Sequence, residues 1–180
     1  MREVLNRITW DPERTDDAEA ALRDLGLHLG LVSTRPDAEH GQGPDNLWAW
    51  PGHAAVIELK TGSKAETVSK DDLDQLGGSL RWYVVQSNAQ PDATPVLVHR
   101  SNLHDRNSTP PNGTRVLTER RVDGLKVAVL GWATGLAEGI GRWNESAQVV
   151  EQLKQHKLNA GVLLQSYTDA IKQADRSGAP

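Results

Sequence analysis

Three side chains in this sequence have types and spacing that suit joint chemistry: Asp45, then after twelve residues Glu58, then Lys60 two positions further on. Carboxylates are hard oxygen donors suited to a divalent cation, and an amine beside them can orient or deprotonate a water or offset developing negative charge. Taken alone, Glu58 and Lys60 also fit a simpler role, a solvated ion pair on an edge strand. The choice turns on what the surrounding elements do with Asp45.

Those elements are readable from pattern. Asn46 to Trp50 is short and apolar, Pro51-Gly52 is a turn signal, and His53 to Lys60 resumes as an apolar run, which together predict a β-hairpin. Alternation along its second arm puts Val56, Glu58 and Lys60 on one side and Ile57 and Leu59 on the other. Upstream, Asp16 to Leu25 predicts a helix with Ala18, Ala21, Leu22 and Leu25 as its apolar stripe and Gly26 as its stop, followed by a strand over Leu27 to Ser33 and a loop over Arg35 to Gly43. Downstream, Thr61 to Lys70 predicts a loop. Ser69 with Asp72 has the form of a capping box that starts a helix to about Val85, with Leu73, Leu76, Leu80 and Tyr83 or Val84 facing inward and Gln75, Ser79 and Trp82 along a neighbouring stripe. Asn88 to Thr94 is turn-rich, Pro95 to His99 predicts a buried strand, Arg100 to Thr114 a loop, and Arg115 to Thr118 a short strand. Helices are expected over Val122 to Leu136, Glu145 to His156 and Ala160 to Ala174, the last capped by Asn159, with Asp175 to Pro180 frayed.

Gly43-Pro44-Asp45 followed by Glu58-Leu59-Lys60, set on a hairpin within an α-β-β-β-α-β order, resembles the PD-(D/E)xK nuclease superfamily over roughly Asp16 to His99. The resemblance implies an α/β fold with a restriction-endonuclease-like core, a central mixed sheet flanked by helices, and extra carboxy-terminal helices. It divides the chain into a nuclease core over 1–118 and a helical extension over 119–180 packed on the same domain. It implies hydrolysis of DNA phosphodiesters with Mg²⁺ or Mn²⁺, which lowers the pKa of a bound water and screens the phosphate. Asp45, Glu58 and the backbone carbonyl of Leu59 would hold the metal, and Lys60 would orient or deprotonate the attacking water or stabilise the transition state. Two further positions follow from the resemblance: Glu19 as a carboxylate on the first helix, otherwise an exposed first-turn acid favoured by the helix dipole, and Gln75 as a helix amide near the lysine. Lys64 and Lys70 flank the loop where a phosphate backbone would pass, although solvated loop lysines are commoner.

The remaining composition narrows the classes. With 24 acidic and 20 basic residues the net charge is -4, unlike that of a general polyanion binder, although a carboxylate site is neutralised only on metal loading. This agrees with targeting delegated to a helicase-like or other DNA-recognising partner or fused module. Cleaving both strands would call for two sites and hence a homodimer. No apolar run approaches a membrane span, no secretory signal is evident, and there is no cysteine, so a cytoplasmic location is expected. The six Trp are read as core or interface filling. His99 and His104 lack a supporting metal-ligand pattern, and Arg100, Arg106 and Arg115 have no spacing that demands a basic edge. Alternatives to a DNA endonuclease are a catalytically silent nuclease-fold interaction domain and a nuclease acting on RNA or branched DNA.

Overall fold

The computed structural model describes residues 1–87, 92–139 and 145–175. A short helix α1 (Arg2–Arg7) precedes α2 (Thr15–His28), which is longer than its sequence pattern predicts. Gly26 does not stop α2 but lies inside it. A Cβ there would fall 2.5 Å from Trp48 Nε1 and 2.6 Å from Ser33 Oγ, so this glycine serves close helix-to-sheet contact instead. The strand expected over Leu27 to Ser33 accordingly shrinks to β1 (Val32–Thr34), and the expected loop after it contains α3 (Pro36–His40), begun by Pro36.

The hairpin forms as the turn signal requires, from β2 (Asn46–Trp50) and β3 (His53–Leu59). Next comes α4 (Lys70–Gln86), whose capping box is present: Ser69 Oγ accepts from Asp72 N at 3.1 Å and Asp72 Oδ2 accepts from Ser69 N at 3.2 Å. It crosses over to β4 (Asp92–Val98), which takes in Asp92, Ala93 and Thr94 from the expected linker; the rest of that linker, 88–91, lies outside the described residues. The segment after β4 holds β5 (Leu103–His104) and leads to β6 (Arg115–Leu117).

The last third is less helical than expected. Helices α5 (Glu119–Glu138) and α6 (Ser146–Gln155) are present, but α7 (Ala160–Tyr167) ends well before Ala174. It gives way to β7 (Asp169–Ala170) and β8 (Lys172–Gln173), fixed by pairing with β6 and β5 rather than by any local periodicity. Of the tail expected to fray, 176–180 lies outside the described residues.

One mixed sheet, in the order β1-β2-β3-β4-β6-β7, forms the middle layer. The β3–β4 and β4–β6 pairs are parallel and the others antiparallel. Apart from its first residue, β3 is buried throughout, because helices cover both faces of the sheet. On one face Ala55, Ile57, Leu59, Val96 and Val98 share a core with Leu22 and Leu25 of α2, Leu125 and Val129 of α5, and Leu163 of α7. Ala54, Val56 and Leu97 point to the other face, where α4 supplies Leu73, Leu76 and Tyr83. By the same alternation Glu58 is directed at α4, and α2-β1-β2-β3-α4-β4 supplies the expected order with α3 inserted.

Candidate functional site

Proline ends the β2–β3 ladder at a useful place. Asn46 pairs with Ile57, so two further steps of the antiparallel register set Pro44 opposite Leu59. Pro44 has no N–H to give, and its carbonyl accepts instead from Asp37 N at 3.2 Å. The Leu59 N–H is therefore left to the side chain of Asp45, whose Oδ2 accepts it at 2.7 Å. Lys60 N donates to Val98 O at 2.8 Å, toward β4; by strand alternation the N–H and C=O of Leu59 both point the other way, past the end of β2. The Asp45 carboxylate thus fills the gap that the proline opens, beside the outward-facing backbone of Leu59.

Glu58 occupies the α4 side of the same gap and is completely buried. Each of its oxygens has a donor: Ser79 Oγ at 2.6 Å on Oε1 and Gln75 Nε2 at 2.7 Å on Oε2. Gln75 completes a chain, since its Oε1 accepts from Lys60 Nζ at 2.7 Å while that ammonium stands 3.8 Å from Glu58 Oε2. Burial first, and next the negative charge of Asp45 within hydrogen-bonding reach, raise the Glu58 carboxyl from its ordinary value to about 8. Ser79 and Lys60 pull the other way without cancelling this.

These residues fit a divalent cation on chemical grounds. Asp45, Glu58 and the Leu59 carbonyl are all hard oxygens, and a half-buried acid held against a fully buried one carries a repulsion that a dication relieves. Among the described residues, however, no group of three or more His, Cys, Asp or Glu side chains is arranged to hold a metal. Glu19 is engaged elsewhere, its Oε2 accepting from Arg35 Nη2 at 2.5 Å. Its carboxyl is raised, mainly by burial and then by the charge of Asp45, so it lies within electrostatic reach of the pair.

The sequence-predicted residues therefore divide. Asp45, Glu58, Lys60, Gln75 and the Leu59 backbone come together; Glu19 is adjacent but engaged elsewhere. Lys70 pairs with Asp74 one helical turn on, at 2.9 Å, which occupies it on its own helix, and Lys64 is exposed in the loop after β3. Arg100 bonds Glu119 at 2.7 Å and stacks 5.1 Å over Trp10, while Arg115 donates to Thr168 at 2.5 Å, so both are structural. His99 and His104 are buried, each bonded to a near neighbour in sequence.

Three residues emerge that the sequence did not assign. Ser79 follows Gln75 by one turn and lies on the same predicted stripe, which was its available signal. Asn46, fully buried, donates from Nδ2 to the Glu19 carbonyl at 3.1 Å and so ties the residue after Asp45 to α2. Arg35 meets Glu19 across sixteen positions, a contact with no sequence signature. Compared with known proteins, the chain matches no family model, no curated protein and no solved structure.

Proposed function

We propose that this chain is a metal-dependent endonuclease that hydrolyses DNA phosphodiesters, built on a restriction-endonuclease-like core of the PD-(D/E)xK type. The observation that carries the reading is the convergence of Asp45, Glu58 and the backbone of Leu59 at the proline-ended ladder, with Lys60 held beside them by Gln75. In this reading Asp45, Glu58 and Leu59 hold Mg²⁺ or Mn²⁺. The bound ion supplies an activated water and screens the phosphate.

The chain's own residues do the rest. Ser79 and Gln75 each hold one oxygen of Glu58, so its carboxyl group is fixed in one orientation at the site. Gln75 accepts from Lys60, which holds the ammonium in place to face a phosphate oxygen as negative charge builds on it. Asp45 is held by the Leu59 N–H, so both acids are pre-positioned on backbone-anchored elements.

The net charge of -4 and the structural use of Arg100 and Arg115 support targeting by a DNA-recognising partner or fused module, with two copies needed to cut both strands. The test is nicking of supercoiled plasmid by the purified chain with Mg²⁺ or Mn²⁺, alongside Asp45→Ala and Lys60→Ala. Metal-dependent nicking by the native chain, reduced at least about 100-fold in each variant, is expected. Equal cleavage by all three proteins would remove the assignment.

A further inference from the structure

Arg35 follows β1 and reaches back to α2. Its side chain is only 15% exposed, and its Nη2 holds two acids three residues apart on one helix face, Asp16 Oδ1 at 2.6 Å and Glu19 Oε2 at 2.5 Å. Asp16 is almost wholly in solvent, whereas Glu19 is 18% exposed. The turn of α2 that carries Glu19 is pinned to the start of β2, next to Asp45, by the Asn46 bond to the Glu19 carbonyl. A third carboxylate therefore lies within electrostatic reach of Asp45, and its Oε2 is held by Arg35.

We propose that Arg35 withholds Glu19 from the cation site, so that the site takes one divalent cation through Asp45 and Glu58 while a second position stays closed. The inference rests on the hydrolytic reading above. An anionic Glu19 released from its guanidinium would add a hard oxygen donor and a full negative charge beside Asp45, both of which favour a dication. Asp16, at the solvent edge, remains a partner for Arg35 whatever Glu19 does.

The test is calorimetric titration of the full chain with Mn²⁺, with circular dichroism reporting the fold of each variant. The native chain is expected to bind one Mn²⁺ in a manner abolished by Asp45→Ala. Arg35→Gln is expected to bind roughly tenfold tighter or to gain a second Mn²⁺, and Arg35→Gln combined with Glu19→Gln should lose that gain. Glu19→Gln alone leaves Arg35 in place and should not weaken the native affinity. That arm keeps the proposal open to refutation if Arg35→Gln does not fold.

Asp45-dependent binding of one Mn²⁺ together with an unchanged isotherm for folded Arg35→Gln would overturn the role of Arg35 and leave the hydrolytic reading intact. So would weaker binding by Glu19→Gln alone, since Glu19 would then already be a ligand. Failure of both the native chain and Arg35→Gln to bind Mn²⁺ would overturn the two readings together.

Discussion

At the residue scale the site is governed by Glu58, an acid placed where water cannot reach it. Its folded value of about 8 exceeds its ordinary 4.5, so between those limits the folded chain keeps a proton that the unfolded chain has lost. Stability without metal is therefore greatest below pH 4.5 on account of this group and falls as pH rises toward about 8. The urea midpoint of the metal-free chain should decline across that window, and Glu58→Gln should flatten the decline. Near neutral pH, Mn²⁺ must displace the proton, so the binding enthalpy should change with the ionisation heat of the buffer. A buffer-independent enthalpy would contradict the assignment of Glu58 as a ligand. That Asp45, Glu58 and Lys60 converge was expected from types and spacing, and that Gln75 joins them from the family resemblance. Ser79 lay on the right stripe, but its bond to Glu58 spans 21 positions and depends on how α4 settles over β3.

At the element scale the decisive device is the proline that closes the β2–β3 ladder. Pro44→Ala restores an N–H opposite the Leu59 carbonyl and extends the ladder by one pair. It should weaken Mn²⁺ binding about tenfold by occupying that carbonyl, measured by titration; unchanged affinity would mean that the carbonyl is not a ligand. The hairpin, the capping box of α4 and the order of the first six main elements were readable because they follow from local chemistry: a Pro-Gly turn, a Ser-x-x-Asp cap, and apolar periodicity. Gly26 was misread as a helix stop because its role is set by Trp48 and Ser33, which come alongside only in the folded state. The early end of α7 has the same origin. Asp169 and Ala170 are recruited by the edge of β6, and Asp169 is further held by Arg121 at 2.6 Å, so tertiary pairing overrides helical continuation. Gly131 and Gly135 in α5 likewise serve packing: a Cβ on either would meet His156 or Gln152, at 2.8 and 2.9 Å, where α6 crosses.

For the whole molecule, three layers fix where these residues meet. The carboxyl end of β3 and the amino end of β2 lie at the same edge of an antiparallel pair, so Glu58 and Asp45 share one end of the sheet. With β4 parallel to β3, the connection must cross over, and α4 does so directly above Glu58, delivering Gln75 and Ser79. The fold thus supplies a buried acid, an adjacent acid and an amine, with the backbone of Leu59 at the end of the ladder, from elements that also form the core. The most direct test of this account is a crystal soaked in Mn²⁺ and measured at the manganese absorption edge. The account predicts one anomalous peak within about 2.2 Å of carboxylate oxygens from both Asp45 and Glu58, with the Leu59 carbonyl beside it. A peak bound elsewhere, or none in crystals where the two acids remain side by side, would contradict it.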